Sequence, residues 1–186
     1  MKFPAFPFLL PLAAVLALSA SSHGQTPATD KATAADKPKP MAAQDKKFIK
    51  DAGDSLFYEL KIAEIGKKTT KDEGVKRVCE LVNDDGNKIW AELAEHAEAA
   101  GEKLPIDVSG GDKSAVGRLE KMKDERFDKQ VLKDLGKESK KLAQMFETAS
   151  KSQSSTLKSF AEKWMLAVKN HATEADKAEA EVGKRK

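Results

Sequence analysis

The stretch "ELVNDDGNKIW", Glu80 to Trp90, decides the fold. Its acids, asparagines and glycine are residues a turn would use. Yet Val75, Val78 and Val82 before it, and Ile89, Leu93 and Ala97 after it, keep a single helical phase. Val82 and Ile89 are seven apart, so position 85 or 86 falls between them on the inward face. The spacing predicts a helix running straight through, with Gly86 costing about 1 kcal/mol relative to alanine. A calcium loop of the EF-hand type is a poor match, because the alternating acids and the closing Glu it requires are missing.

Working outward, the same period recurs three more times. Phe48, Ala52, Leu56, Ala63 and Gly66 form a stripe that ends near "KKTTKDE". After "GEKLPIDVSGGDK", whose Gly and Pro stop the second helix, Val116 and Leu119 open a third stripe. It continues through Phe127, Val131, Leu135, Leu142 and Met145 to Ala149. "SQSS" supplies N-cap residues for a fourth, marked by Leu157, Phe160, Trp164, Ala167, His171 and Ala178. Alternating patterns are absent, so the expected class is all-α: an antiparallel four-helix bundle over residues 45–183. Glu64 with Lys68 and Glu147 with Lys151 are expected surface pairs, each contributing about 0.2–0.5 kcal/mol.

The first 24 residues read differently. One Lys precedes an apolar run from Phe3 to Ala20, followed by small polar residues, which is the layout of a secretory signal peptide. Pro4, Pro7 and Pro11 within the run argue against a lasting membrane span. Residues 25–44, rich in Ala, Thr, Lys and Pro, read as a flexible linker. Export to the periplasm or another part of the bacterial cell envelope is the expectation. Removing Lys2 from the 33 basic residues leaves 32 against 30 acidic ones, a balance that argues against nucleic acid as a partner. Cys79 is the only cysteine, which excludes an intramolecular disulfide and suits a small core residue.

Polar residues at inward phases are the candidates for function. Glu59 lies between Leu56 and Ala63, Asp85 between Val82 and Ile89, Glu138 and Ser139 between Leu135 and Leu142. His171 continues the Trp164–Ala167 line. Inward carboxylates and histidines on the helices of a bundle are the way carboxylate-bridged metal sites are built. Glu59, Asp85, Glu138 and His171 are therefore the candidate metal ligands. The competing reading makes His171 a neutral core histidine bonded to Glu59 or Asp85, fixing helix register. His96 is expected at the surface or against the C-terminal dipole of the second helix. Trp90 and Trp164 are expected at the core or its edge.

From about Asp45 to Ala178 the chain resembles the bacterial exported family known as domain of unknown function 4142. The resemblance rests on "DKKFIKDAG…YELKIAEIGKK", "VKRVCELVNDDGNKIWAEL" followed by "GEKLP", "RFDKQVLKDLGKESKKLAQMFE" and "LKSFAEKWMLAVKNHATEA". It implies a ferritin-like bundle. It also implies a pattern of Glu, Asp-His, His and His on the four helices, to which Glu59, Asp85 and His171 correspond. Gly86 and Ser139 stand where two histidines of that pattern would be. One nitrogen ligand is then left, whereas a stable transition-metal site takes about four suitable donors.

Catalytic constellations are missing. No Gly-x-Ser-x-Gly elbow, Cys–His couple or Gly-rich phosphate loop occurs. The expectation is a non-enzymatic bundle with no cofactor, in a structural, binding or stress-related role. The alternative is a metal-binding protein with a reduced site at Glu59, Asp85 and His171. A third possibility, binding to a membrane surface or a partner helix, is disfavoured because acids and bases alternate along the helices. A homo-oligomer is compatible with these residues, which name no other partner.

Overall fold

The computed structural model describes residues 41–108, 110–123 and 125–184. The expected signal peptide, residues 1–24, lies outside them, as does the expected linker up to residue 40. Five helices are present: α1 (Ala43–Thr69), α2 (Glu73–Ala100), α3 (Gly110–Lys121), α4 (Glu125–Ala149) and α5 (Ser155–Lys184). No described helix is long and apolar enough to cross a membrane.

Helix α2 runs unbroken through "NDDGNK", as its apolar phase requires. It starts at Asp72, whose Oδ1 accepts from the backbone N–H groups of Gly74 (2.8 Å) and Val75 (3.1 Å). Its end is a glycine cap: Gly101 takes φ 68°, and Glu102 N–H returns to the Ala97 carbonyl at 2.9 Å. Lys46 adds its ammonium to the Ala100 carbonyl at 2.7 Å, tying the start of α1 to that end. Ser154 caps α5 through Leu157 N–H at 3.4 Å.

Cross-helix contacts fix the directions of the four long helices. Phe48 of α1 stacks edge-on against Phe146 of α4, while Thr70 donates to Asp128 of α4, so α1 and α4 are antiparallel. Glu92 of α2 meets Trp164 of α5, and Asp85 meets His171, so this pair is antiparallel as well. Each neighbour runs opposite, and α2 and α4 are parallel across the diagonal. A chain leaving α2 at one end must therefore travel the length of the bundle before entering α4. The chain between α2 and α4, which includes α3, makes this crossover, the single long connection of ferritin-like bundles.

Two expectations need correction here. The third apolar stripe is two helices, not one: α3 ends at Lys121 and α4 begins at Glu125. No Gly or Pro marks the break, and the apolar phase carries across it. The short α3 buries only Val116 and Leu119 and belongs to the crossover. Lys151 lies beyond the end of α4 and does not pair with Glu147, whereas Lys68 does meet Glu64 at 2.5 Å.

The core falls into two clusters, one on either side of mid-height. One gathers Ile62, Val75, Cys79, Val82, Val131 and Leu135; the other gathers Phe48, Ile49, Leu93, Phe146, Leu157 and Phe160. Between them lie Ser55, Glu59, Glu138, Ser139 and His171, while the buried Asp45 sits at the start of α1 and accepts from Ser152 at 2.8 Å.

Candidate functional site

Glu59, three residues after Leu56 on the inner face of α1, is completely buried. Ser139 of α4 donates its hydroxyl to Glu59 Oε1, and Oε2 has no hydrogen-bond partner. Burial pushes this carboxyl up to about 8, against the Ser139 bond and with a further push from the nearby Glu138 charge. Below that pH the group is neutral, the form a buried carboxyl adopts when no cation offsets its charge.

Glu138 is the second buried acid. It accepts from Ser55 of α1 and, at 2.8 Å, from the Lys141 ammonium one turn along its own helix. Lys141 is half exposed, so this charge is shared with solvent. Ser55 was not singled out by the sequence reading. Its signal was available: it shares the face of Ala52, Leu56 and Glu59.

His171 on α5 has no exposed surface. Its Nε2 lies 3.5 Å from Asp85 Oδ2, within ion-pair range, yet neither ring nitrogen has a hydrogen-bond partner. Burial lowers its pKa, against the pull of Asp85, and leaves the imidazole neutral. Asp85 keeps 23 % of its side chain exposed and also meets Lys88 at 3.1 Å. The four candidate residues thus fall into three separate contacts, Glu59–Ser139, Glu138–Ser55 and Asp85–His171. Among the described residues no three His, Cys, Asp or Glu side chains come close enough to hold one ion.

Positions 86 and 139 show why. A Cβ at Gly86 would sit 2.8 Å from Leu60 Cδ2 and 3.6 Å from Leu56 Cδ1. The space beside Gly86 is filled by leucine. At 139 the serine hydroxyl is used by Glu59. Neither position supplies a ligand: Gly86 has no side chain and faces the movable end of Leu60, and the Ser139 hydroxyl is engaged by Glu59. The residues present do not fit a resident transition metal.

Other polar residues singled out by sequence fall elsewhere. His96 is half-buried, not at the surface: its ring stacks at 4.9 Å on Phe160, and burial lowers its pKa. Trp90 packs at 5.5 Å on Phe57, and Trp164 donates to Glu92 at 3.0 Å, both at the core edge. Cys79 is buried and free.

A bundle with one end-to-end crossover and polar residues facing inward at mid-height defines a ferritin-like helical protein. Within that class the chain belongs to the family of domain of unknown function DUF4142, whose model matches residues 30–178. Among solved structures it is similar to the crystal structure of a DUF305 fragment from Deinococcus radiodurans, with a TM-score of 0.65 at 12 % identity. That match covers 78 % of this chain and 99 % of the other, and shows a shared fold. Comparison with curated proteins gives no match.

Proposed function

We propose that this chain is an exported, non-catalytic bundle of the bacterial cell envelope that works by binding through its surface. One observation carries the reading: at the level where a ferritin-like protein would hold metal, no three His, Cys, Asp or Glu side chains converge among the described residues, and Ser139 is bonded to Glu59. The buried polar groups then act on the fold, since each bond joins α1 to α4 and slipping either helix would strand a buried acid. The leader-like residues 1–24 support export. No nucleophile–base couple or cofactor loop supports catalysis.

A second reading keeps metal binding at Glu59, Asp85, Glu138 and His171. It is favoured by the unpartnered Glu59 Oε2 and His171 nitrogens and opposed by their division into separate pairs. Elemental analysis of the purified protein and of a His171→Ala variant separates the two. The first reading expects no stoichiometric iron, zinc, copper or manganese in either. A stoichiometric metal that is lost in the variant would overturn it.

A further inference from the structure

The charge balance of the whole chain conceals how charge is arranged on α4. Between residues 126 and 141, every exposed side chain of this helix is basic: Arg126, Lys129, Lys133, Lys137, Lys140 and Lys141. The acids of the same span are withdrawn. Asp128 accepts from Thr70 at 2.5 Å, Asp134 from Gln130 at 2.8 Å, and Glu138 is buried. Steps of three and four keep the cations on one face, and the row extends about 22 Å at the helical rise.

Neighbouring helices neutralise this face only in part. Lys140 pairs with Asp176 of α5 at 2.8 Å and Lys141 with Glu138, and Glu179 lines the groove beside Lys133 and Lys137. Lys129, Lys133 and Lys137 have no acidic partner among the described residues. At the far end Lys71, Lys123 and Arg126 surround an open depression whose lining also includes Asp128.

The composition of the face selects its partner. Single-stranded nucleic acid is held by aromatic platforms, and no aromatic side chain is exposed on this face. Duplexes are read by an element that enters a groove, whereas α4 is packed along its length against α1 and α5. A row of flexible ammonium groups, with one guanidinium, complements a surface where anions are dense and laterally mobile.

We propose that this face docks on the surface of an anionic phospholipid bilayer. The inference rests on the reading of an exported envelope protein that binds through its surface, and it supplies the partner. The contact is electrostatic adsorption without insertion, because the face offers lysine stems and no exposed apolar side chain. Salt therefore weakens it, as the screening length falls from about 10 Å at 0.1 M to about 3 Å at 1 M.

The test is co-sedimentation of the protein, purified as the cell processes it, with vesicles containing about 30 % phosphatidylglycerol or phosphatidylcholine alone. Binding to the anionic vesicles only, weakened about tenfold or more in high salt, is expected. Combined Lys129→Glu, Lys133→Glu and Lys137→Glu should weaken it by about tenfold or more, and the corresponding Gln variant by less. The same charge reversal at Lys50, Lys67 and Lys103, exposed residues outside α4, should leave it within about threefold. Circular dichroism confirms that each variant is folded. Absence of binding, equal binding to both vesicle types, equal loss in the two reversed variants, or tighter capture of a single-stranded oligonucleotide would each overturn the proposal. None of these readouts depends on metal content or on export, so cell fractionation and elemental analysis fail or succeed separately.

Discussion

Replacing Glu59 by Gln should remove a pH dependence built into the centre of the bundle. In the folded chain this carboxyl titrates at about 8, raised from 4.5 by burial. Below pH 4.5 it is protonated whether the chain is folded or not, and the full stability is present. As pH rises, the unfolded chain releases the proton and the folded chain keeps it, so stability falls until the folded group itself ionises. The slope is about 1.36 kcal/mol per pH unit, which makes the loss between about pH 5 and pH 7.5 roughly 3 kcal/mol. Glutamine cannot ionise. The difference in unfolding free energy, variant minus wild type, should therefore grow by roughly 3 kcal/mol over that interval, in the variant's favour. His171 contributes the opposite trend, because its lowered pKa removes stability as pH falls through 6.5. It does so in both proteins and cancels. Urea unfolding followed by circular dichroism at four or five pH values measures the difference. A difference constant to within about 0.5 kcal/mol would show that Glu59 ionises equally in both states, and would refute the reasoning.

Two glycines should respond in different ways to alanine. At Gly66 the new methyl would lie 2.5 Å from Cys79 Sγ and 2.9 Å from Val131 Cγ1, both fully buried, so chemical melts should show a loss of about 1–3 kcal/mol. At Gly86 it meets the end of the half-buried Leu60, which can turn aside, and the helix-propensity gain should bring the change to within about 1 kcal/mol of zero. The Cys79 thiol, pushed up to about 12 by burial and the nearby Asp128 and Glu80, should resist a thiol reagent in the native protein and react fully in denaturant. Asp72→Ala removes the acceptor for two N–H groups of α2 and should lower stability by about 1 kcal/mol in the same melts.

Period was enough to place the four long helices, because burying one face imposes a 3.6-residue repeat that composition cannot disguise. That is why Gly86 and its polar neighbours did not hide α2. The break before α4 was invisible for the same reason: Leu119 and Phe127 share a phase, and only the path of the crossover separates their helices. Inward direction was also legible, and Glu59, Glu138 and His171 are all buried. Partner choice was not. Ser139 bonds Glu59 across 80 positions and Ser55 bonds Glu138 across 83, distances over which a single sequence carries no pairing signal. The α4 lysines were hidden by alternation: Asp128, Asp134 and Glu138 interleave with them in sequence, and only the fold shows those acids bonded or buried off the lysine face.

The end-to-end crossover has a consequence for how the chain folds. Helices α1 and α2 are joined by residues 70–72, and α4 and α5 by 150–154, so two hairpins can form from neighbouring sequence. The α1–α4 and α2–α5 faces meet only after the crossover closes, which makes docking of preformed halves the slow step. It is anchored by Leu104, lying over Gly53, by the buried Val108, and by Val116 and Leu119 of α3; between the first two Ile106 is 95 % exposed. Chain entropy makes such a link tolerant of length, with each doubling adding about 0.6 kcal/mol. Extra residues inserted beside Ile106 would slow the meeting of the halves by at most about threefold for each doubling of the link, because one closure entropy sets both the rate and the stability lost.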